Sequence, residues 1–315
     1  LHPVHENLPG EALMNQSRTS LILRDILAVL VVGCFMFPLF WWALTSIKPD
    51  YAIFDKDGIN WFNFEPTFDN YRVTVFGQSR LSDADSQGIA VGSAGAGSYD
   101  SRQSLFDSIV VALGATIISV GVAVFAAYSL SRMAFRGRVS YLNWVLGQRF
   151  MPPVAIVVPL VLIYRDFGMR DVNNIYLGYL GLILIYALMN LPIVLLLMKS
   201  FFDDVPKDVD EAAMIDGATR WQVFWKVVLP MVKGGVAACA VLCFVFAWTE
   251  FLISLMLTTD IRTVPVKIST FVTSTGNEWG FISALGMAGV IPGFIFIILV
   301  QRHLVRGLTL GSLKE

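Results

Sequence analysis

Few side chains here can carry covalent or redox chemistry, and none is spaced to work. The three histidines, His2, His5 and His303, lie near the chain ends or at the edge of an apolar run. The three cysteines, Cys34, Cys239 and Cys243, sit inside apolar runs, where they read as small packing residues and form neither a disulfide framework nor a metal set. No GxxxxGKS or GxxxxGKT segment is present to cradle a nucleotide phosphate. No catalytic residue, metal site or cofactor is therefore expected, which argues against an enzyme. The informative polar residues are of another kind. One group is the acid- and alanine-rich segment FFDDVPKDVDEAAMIDGATRWQVFWKVVLPMVKGG (201–235); the other is two isolated charges, Arg149 and Glu250. Such groups cap helices, meet partners or face water.

The segment at 201–235 reads as two short helices around a sharp turn. Pro206 suits the first turn of a helix, and Asp203 or Asp204 is expected to cap it. Asp208, Asp210 and Glu211 complement the positive end of its dipole. Val209, Ala212, Ala213 and Asp216 then share one face. Gly217 is expected to end the helix in a left-handed conformation. Thr219 and Gln222 make a capping box for a return helix with Trp221, Phe224 and Trp225, ending at Leu229-Pro230. Small side chains at 212 and 213 let the first helix enter a groove on another protein, while the aromatic helix lies in a membrane interface. Composition alone favours a simple interfacial hairpin with no partner.

The elements that hold this segment are apolar. The chain is 56% hydrophobic and 15% charged, against about 25% charge in soluble domains. Its net charge of −1 offers no basic field for nucleic acid. Six runs are long enough to cross a bilayer as helix: 26–47, 105–130, 139–164, 175–198, 234–257 and 281–300. They do not alternate as barrel strands do. The first is too long for a signal-peptide core and is expected to remain as an anchor. Thirteen Lys and Arg fall on the side that holds both termini and 201–233, and nine on the other, so both termini are expected to be cytoplasmic. The loop at 48–104 is then extracytoplasmic. Its aromatic first part (61–71) is expected to pack on the membrane surface or the bundle, and its Gly/Ser/Asp-rich part (79–103) to be a mobile insertion. Residues 1–13 read as polar sequence upstream of a native start.

A charge within a span costs about 2.5–3.5 kcal/mol on insertion scales, so Glu250 is expected to face the bundle or water. Path lining is one reading of Glu250; a polar contact with a partner or a position near the outer interface are others. Tyr186, Asn190, Trp248 and Thr249 are further candidates for contact with a polyhydroxyl solute. Arg149 is expected near the cytoplasmic mouth, snorkelling, with Pro152 and Pro153 kinking its helix. Gly289 and Gly293 form a GxxxG in the last span, expected to pack closely against a neighbour.

The order Glu211-Ala212-Ala213, Gly217, Val227, Leu229-Pro230 resembles the EAA loop of ABC importer permeases, with Val227 where that family usually has isoleucine. The likeness runs over most of the chain from Arg24. Pro192, MKSFFDDVPKDVDEAA (198–213), AWTEFLISLMLT (247–258) and QRHLVRGLTLGSLKE (301–315) look like the carbohydrate branch, and most like the second permease of maltose-type systems. The insertion at 79–103 is longer than is usual there. The resemblance implies an all-α, six-span permease of the type I importer fold in a bacterial inner membrane. Its segments would be a cytoplasmic tail (1–24), a transmembrane domain (25–304) and a cytoplasmic tail (305–315), with a coupling loop at 201–233. It further implies a second permease, two ATP-binding cassette subunits and an extracytoplasmic solute-binding protein. The solute would be a sugar or polyol, and Glu211, Ala212, Ala213, Asp216, Gly217, Leu229 and Pro230 would meet the ATPase. The rivals are a secondary transporter, which would need internal repeats and ion-coupling carboxylates, and a membrane scaffold or receptor, which leaves the spaced EAA pattern unexplained.

Overall fold

The computed structural model describes residues 18–53, 61–78, 99–170, 174–273 and 276–311; the expectations for 1–13 and for most of 79–103 lie outside them. The chain order is α1 (Arg18–Ser46), α2 (Asp50–Ile53), α3 (Asp69–Thr74), α4 (Arg102–Arg132), α5 (Arg138–Arg149), α6 (Pro153–Asp166) and α7 (Ile175–Asp203). Next come α8 (Lys207–Ile215), α9 (Arg220–Gln222), a π-helical stretch (Val223–Val228), α10 (Leu229–Met231), α11 (Lys233–Trp248), α12 (Leu252–Leu257) and α13 (Val264–Ser269). A two-residue antiparallel pair, β1 (Val272–Thr273) and β2 (Gly276–Asn277), precedes α14 (Trp279–Gly311) and is the one departure from an all-helical chain among the described residues.

Helices α1, α4, α7 and α14 are each long and apolar enough to cross a bilayer alone. The remaining two expected spans are broken, which corrects the reading of 139–164 and 234–257 as continuous helices. The run at 139–164 is α5 and α6 meeting at 91°. The cause is local: the residue before a proline is pushed out of the helical region, and Pro152, preceding Pro153, is extended (φ −63°, ψ 127°). The run at 234–257 stops at Trp248 and restarts at Leu252, and α11 is itself bent by 72° from the helical piece Arg220–Met231. Six crossings result if each bent pair counts as one.

The centre of the bundle is the pairing of α4 with α7, and its cause is legible in α4. Ser108, Ala112, Ala115, Thr116, Ser119, Ala123 and Ala127 are all buried along one face. Apolar surface gains little from leaving lipid for protein, so span association rests on close packing, which small residues permit. The hydroxyl of Thr116 donates back to the Ala112 carbonyl at 2.7 Å, so its burial leaves no bare donor. Helix α11 joins this pair, with Cys239 and Cys243 buried against it as the packing residues their context implies.

At the N-terminal end of α4 the packing is stitched by polar contacts. The Asp107 carboxylate accepts from Gln103 at 2.7 Å, from the Tyr179 hydroxyl at 2.5 Å and from the Arg262 backbone at 3.0 Å, tying the chain after α12 to the start of α4. Helix α1 touches the body only near its end, where Trp42 lies against Gly286 of α14. The aromatic segment 61–71 folds back on the same region, with Trp61 edge-on to Trp41 at 5.0 Å.

Two glycines differ sharply. A Cβ on Gly235 would collide with the Phe201 ring, whereas one on Gly293 would meet nothing within 4 Å. The expected GxxxG contact is thus half absent within this chain: Gly289 has Val264 beside it, and Gly293 has no neighbour. Overpacking typically costs about 1–3 kcal/mol. Gly235→Val is expected to lower the thermal unfolding midpoint of the detergent-purified protein by several degrees, and Gly293→Ala to leave it unchanged. Equal midpoints for the two would contradict this packing.

Candidate functional site

The connection between α7 and α11 is fastened to the end of α4 by one buried ion pair. Arg132 Nη2 lies 3.0 Å from Asp210 Oδ2, and the two side chains are 9% and 10% exposed. Arg132 Nε and the Tyr128 hydroxyl both donate to Asp210 Oδ1 at 3.2 Å. The same guanidinium donates to the backbone carbonyls of Phe202 at 3.1 Å and Val205 at 3.0 Å, where α7 ends. One cation thus joins α4, the end of α7 and the first turn of α8. Beside it, Ser131 donates to Asp203 at 2.7 Å, and Lys199 pairs with the same carboxylate.

This geometry revises three expectations. Asp210 does not simply complement the helix dipole; it turns inward to Arg132. Neither Asp203 nor Asp204 caps α8, because Asp203 is engaged by Ser131 and Lys199; Pro206 stands at the cap with no side-chain bond. Ala212 and Ala213 also part company. Ala212 is exposed, while Ala213 is half-buried against the core shared by α4, α7 and α11. The bare face of α8 is made of Asp208, Glu211, Ala212, Ile215 and Asp216. Ile215, 86% exposed, was missed: its place after the EAA triplet carried no local signal.

The turn forms as its residues dictate. Gly217 has φ +88°, a conformation that costs other L-residues strain. The Ala218 N–H reaches the Ala213 carbonyl and the Gly217 N–H that of Met214, each at 3.0 Å, which is a Schellman closure. Thr219 and Gln222 cap one another reciprocally, at 3.3 and 2.9 Å. The return helix then widens to π over Val223–Val228, which the sequence did not announce. Pro230 explains it: its ring crowds the carbonyl four residues earlier and it brings no N–H, and a wider turn moves that carbonyl aside. The aromatics of this helix pack on α4 and do not simply lie in an interface. Phe125 stacks on Trp221 at 6.2 Å and meets Phe224 at 5.3 Å, while Phe224 also contacts Tyr128 at 4.9 Å. Leu229 is half-buried in the same core and Pro230 is exposed.

The second cluster lies at the break in the fifth span. Glu250 accepts from the Tyr186 hydroxyl at 2.7 Å and from the backbone N–H groups of Ile253 and Ser254 at 3.0–3.3 Å. It therefore satisfies the donors that the interruption would otherwise leave bare in an apolar setting. Asn190, one turn along α7, is buried and donates to the Tyr186 carbonyl at 2.9 Å. Trp248 stacks on Phe244 at 5.5 Å, and Thr249 is exposed at the end of α11. Tyr186, Asn190 and Glu250 thus form one linked group, with Trp248 and Thr249 at its margin.

Removing one partner of a buried ion pair typically costs about 3–5 kcal/mol, because the other charge is left uncompensated. Arg132→Gln and Asp210→Asn are each expected to loosen α8, read as faster trypsin cleavage at Lys207 and Arg220. The pair Arg132→Met with Asp210→Leu is expected to recover much of the protection. Unchanged cleavage in both single variants would show that the clamp does not hold the hairpin.

Residues 119–310 match the family described as binding-protein-dependent transport system inner membrane component. The chain is 34% identical to the sulfoquinovosyl glycerol transport system permease protein SmoH of Agrobacterium fabrum, over 93% of each chain. It is 33% identical to the trehalose transport system permease protein SugB of Mycobacterium tuberculosis, over 92% of this chain and 96% of that one. The fold is similar to a chain in the crystal structure of a bacterial ABC transporter involved in the import of the acidic polysaccharide alginate. That match has a TM-score of 0.66 at 21% identity and covers 91% of this chain and 98% of the other. The chain therefore belongs to the binding-protein-dependent transport system inner membrane components, as a multi-pass permease subunit of an ATP-driven importer whose ATP hydrolysis and solute capture reside in separate proteins.

Proposed function

We propose that the chain forms half of a translocation path with a second permease subunit, and that α8 is the element through which a pair of ATP-binding cassette subunits drives it. The observation that carries this reading is the two-sidedness of α8. Its inner face is fixed to α4 and α7 through Asp210 and Arg132, and its outer face is bare. A short helix held in this way transmits a push to the spans instead of absorbing it. Glu211, Ala212, Ile215 and Asp216 belong to the contact, Ala213 seats the helix on the core beneath it, and Gly217 fixes the turn. Leu229 and Pro230 set the angle at which the return helix meets α11. Both termini and α8 lie on the cytoplasmic side in this reading, and a solute-binding protein delivers its load at the opposite end. The cluster of Tyr186, Asn190, Trp248, Thr249 and Glu250 belongs to the wall of the path. A glycoside or polyol as solute is supported by the relatives, whose names specify sulfoquinovosyl glycerol, trehalose and diacetylchitobiose.

Gly217 provides the test. A Cβ there meets no atom of this chain within 4 Å, so a substitution acts only through backbone strain and through whatever seats against the turn. Strain at such a position is about 1–2 kcal/mol for most residues and less for Asn. Gly217→Asp is expected to abolish ATP-dependent uptake by the assembled complex while membrane insertion is retained. Gly217→Asn is expected to keep part of the uptake. Full uptake by Gly217→Asp would overturn the coupling role.

A further inference from the structure

Arg149 ends α5 at the 91° break, and its guanidinium reaches across to the middle of α7. Its Nη1 donates to the Met189 carbonyl of α7 at 3.4 Å, and the group stands 5.3 Å over the Phe246 ring of α11. Met189 is fourteen residues from each end of α7. A cation is therefore held at mid-depth, and it is exposed on the surface of this chain.

Among the described residues no carboxylate pairs with Arg149. The acid of the neighbouring break, Glu250, is turned instead to Tyr186 and to backbone donors. One long bond to a carbonyl leaves most of the five guanidinium donors free to meet something else. Acyl chains cannot be that something, since a fixed cation at mid-depth faces water, protein or a polar ligand. Both broken spans meet α7 here, one through Arg149 at Met189 and the other through Glu250 at Tyr186, one turn apart. Thr249, exposed, lies one turn beyond Phe246 on α11 and borders the same surface.

We propose that this surface, centred on Arg149, lines the translocation path at mid-depth and makes it locally positive. The path then takes neutral or anionic oxygen-rich solutes, whose hydroxyl, carboxylate or sulfonate oxygens accept from the guanidinium fork, and it disfavours cationic ones. Stacking on Phe246 keeps the fork in place. This inference rests on the permease reading above.

The test uses the assembled complex in nanodiscs, with Cys34→Ser removing the exposed native thiol; Cys239 and Cys243 are buried. Thr249→Cys is introduced with Arg149 intact or as Arg149→Gln. Labelling rates are measured with an anionic (sulfonatoethyl) and a cationic (trimethylammonioethyl) methanethiosulfonate, with and without ATP. The cysteine at 249 is expected to react with both reagents. The anionic-to-cationic rate ratio is expected to fall about five-fold in Arg149→Gln, as one nearby unit charge should produce. A ratio indifferent to Arg149, or a thiol unreactive in a complex that hydrolyses ATP, would overturn the inference: Arg149 would then face a partner helix, and the permease reading would stand. Failure of the chain to co-purify with any ATPase would overturn that reading and this inference with it.

Discussion

The end of the protein that carries α8 depends on a single buried ion pair. Arg132 and Asp210 lie 78 positions apart in the chain, and their contact closes the structure between the end of α4 and the start of α8. Taking two charges out of water is unfavourable in itself. Here the guanidinium also satisfies the carbonyls of Phe202 and Val205 at the end of α7, and Oδ1 of the carboxylate also receives Tyr128, while Oδ2 meets Arg132 by charge alone. What the pair confers is position. Without it α8 would lose its tie to α4 and to the end of α7, and nine residues of helix have little stability alone.

The same economy governs the two breaks in the spans. A helix interrupted in an apolar environment exposes N–H and C=O groups that nothing in lipid can bond. At one break the chain answers with a charged side chain, for Glu250 takes the donors at the start of α12; at the other, Arg149 braces the end of α5 against a carbonyl of α7. Residues that look like isolated costs in a hydropathy reading thus stand where the backbone is irregular, and α7, unbroken over 29 residues, is the post against which both irregularities rest.

Local signals were legible in the sequence and distant pairings were not. The Gly217 turn and the Thr219–Gln222 capping box appear as read, because each is decided within four residues. The long spans α1, α4, α7 and α14 follow from runs of apolar residues. The breaks escaped that reading for opposite reasons. Pro152-Pro153 was recognised as a kink, but its size depends on packing around it. The interruption at Thr249 looks like ordinary apolar helix until Glu250 is seen to prefer the backbone of the next turn. Asp210 was grouped with its acidic neighbours Asp208 and Glu211, since nothing nearby in the chain distinguishes the one residue that faces Arg132. Whether Ala212 or Ala213 points outward is likewise a matter of helix phase, fixed by that clamp.

The π-helical stretch bears on the length of the whole connection. Each π turn holds an additional residue relative to an α turn, and one residue of α-helix corresponds to about 100° of rotation about the axis. Val223–Val228 therefore sets the azimuth of everything downstream, including the side of α11 on which Cys239 and Cys243 meet the core. Shortening this stretch by one residue would leave its reach almost unaltered yet swing that side toward the lipid. The number of residues between the Gly217 turn and α11 is constrained by angular phase far more tightly than by distance.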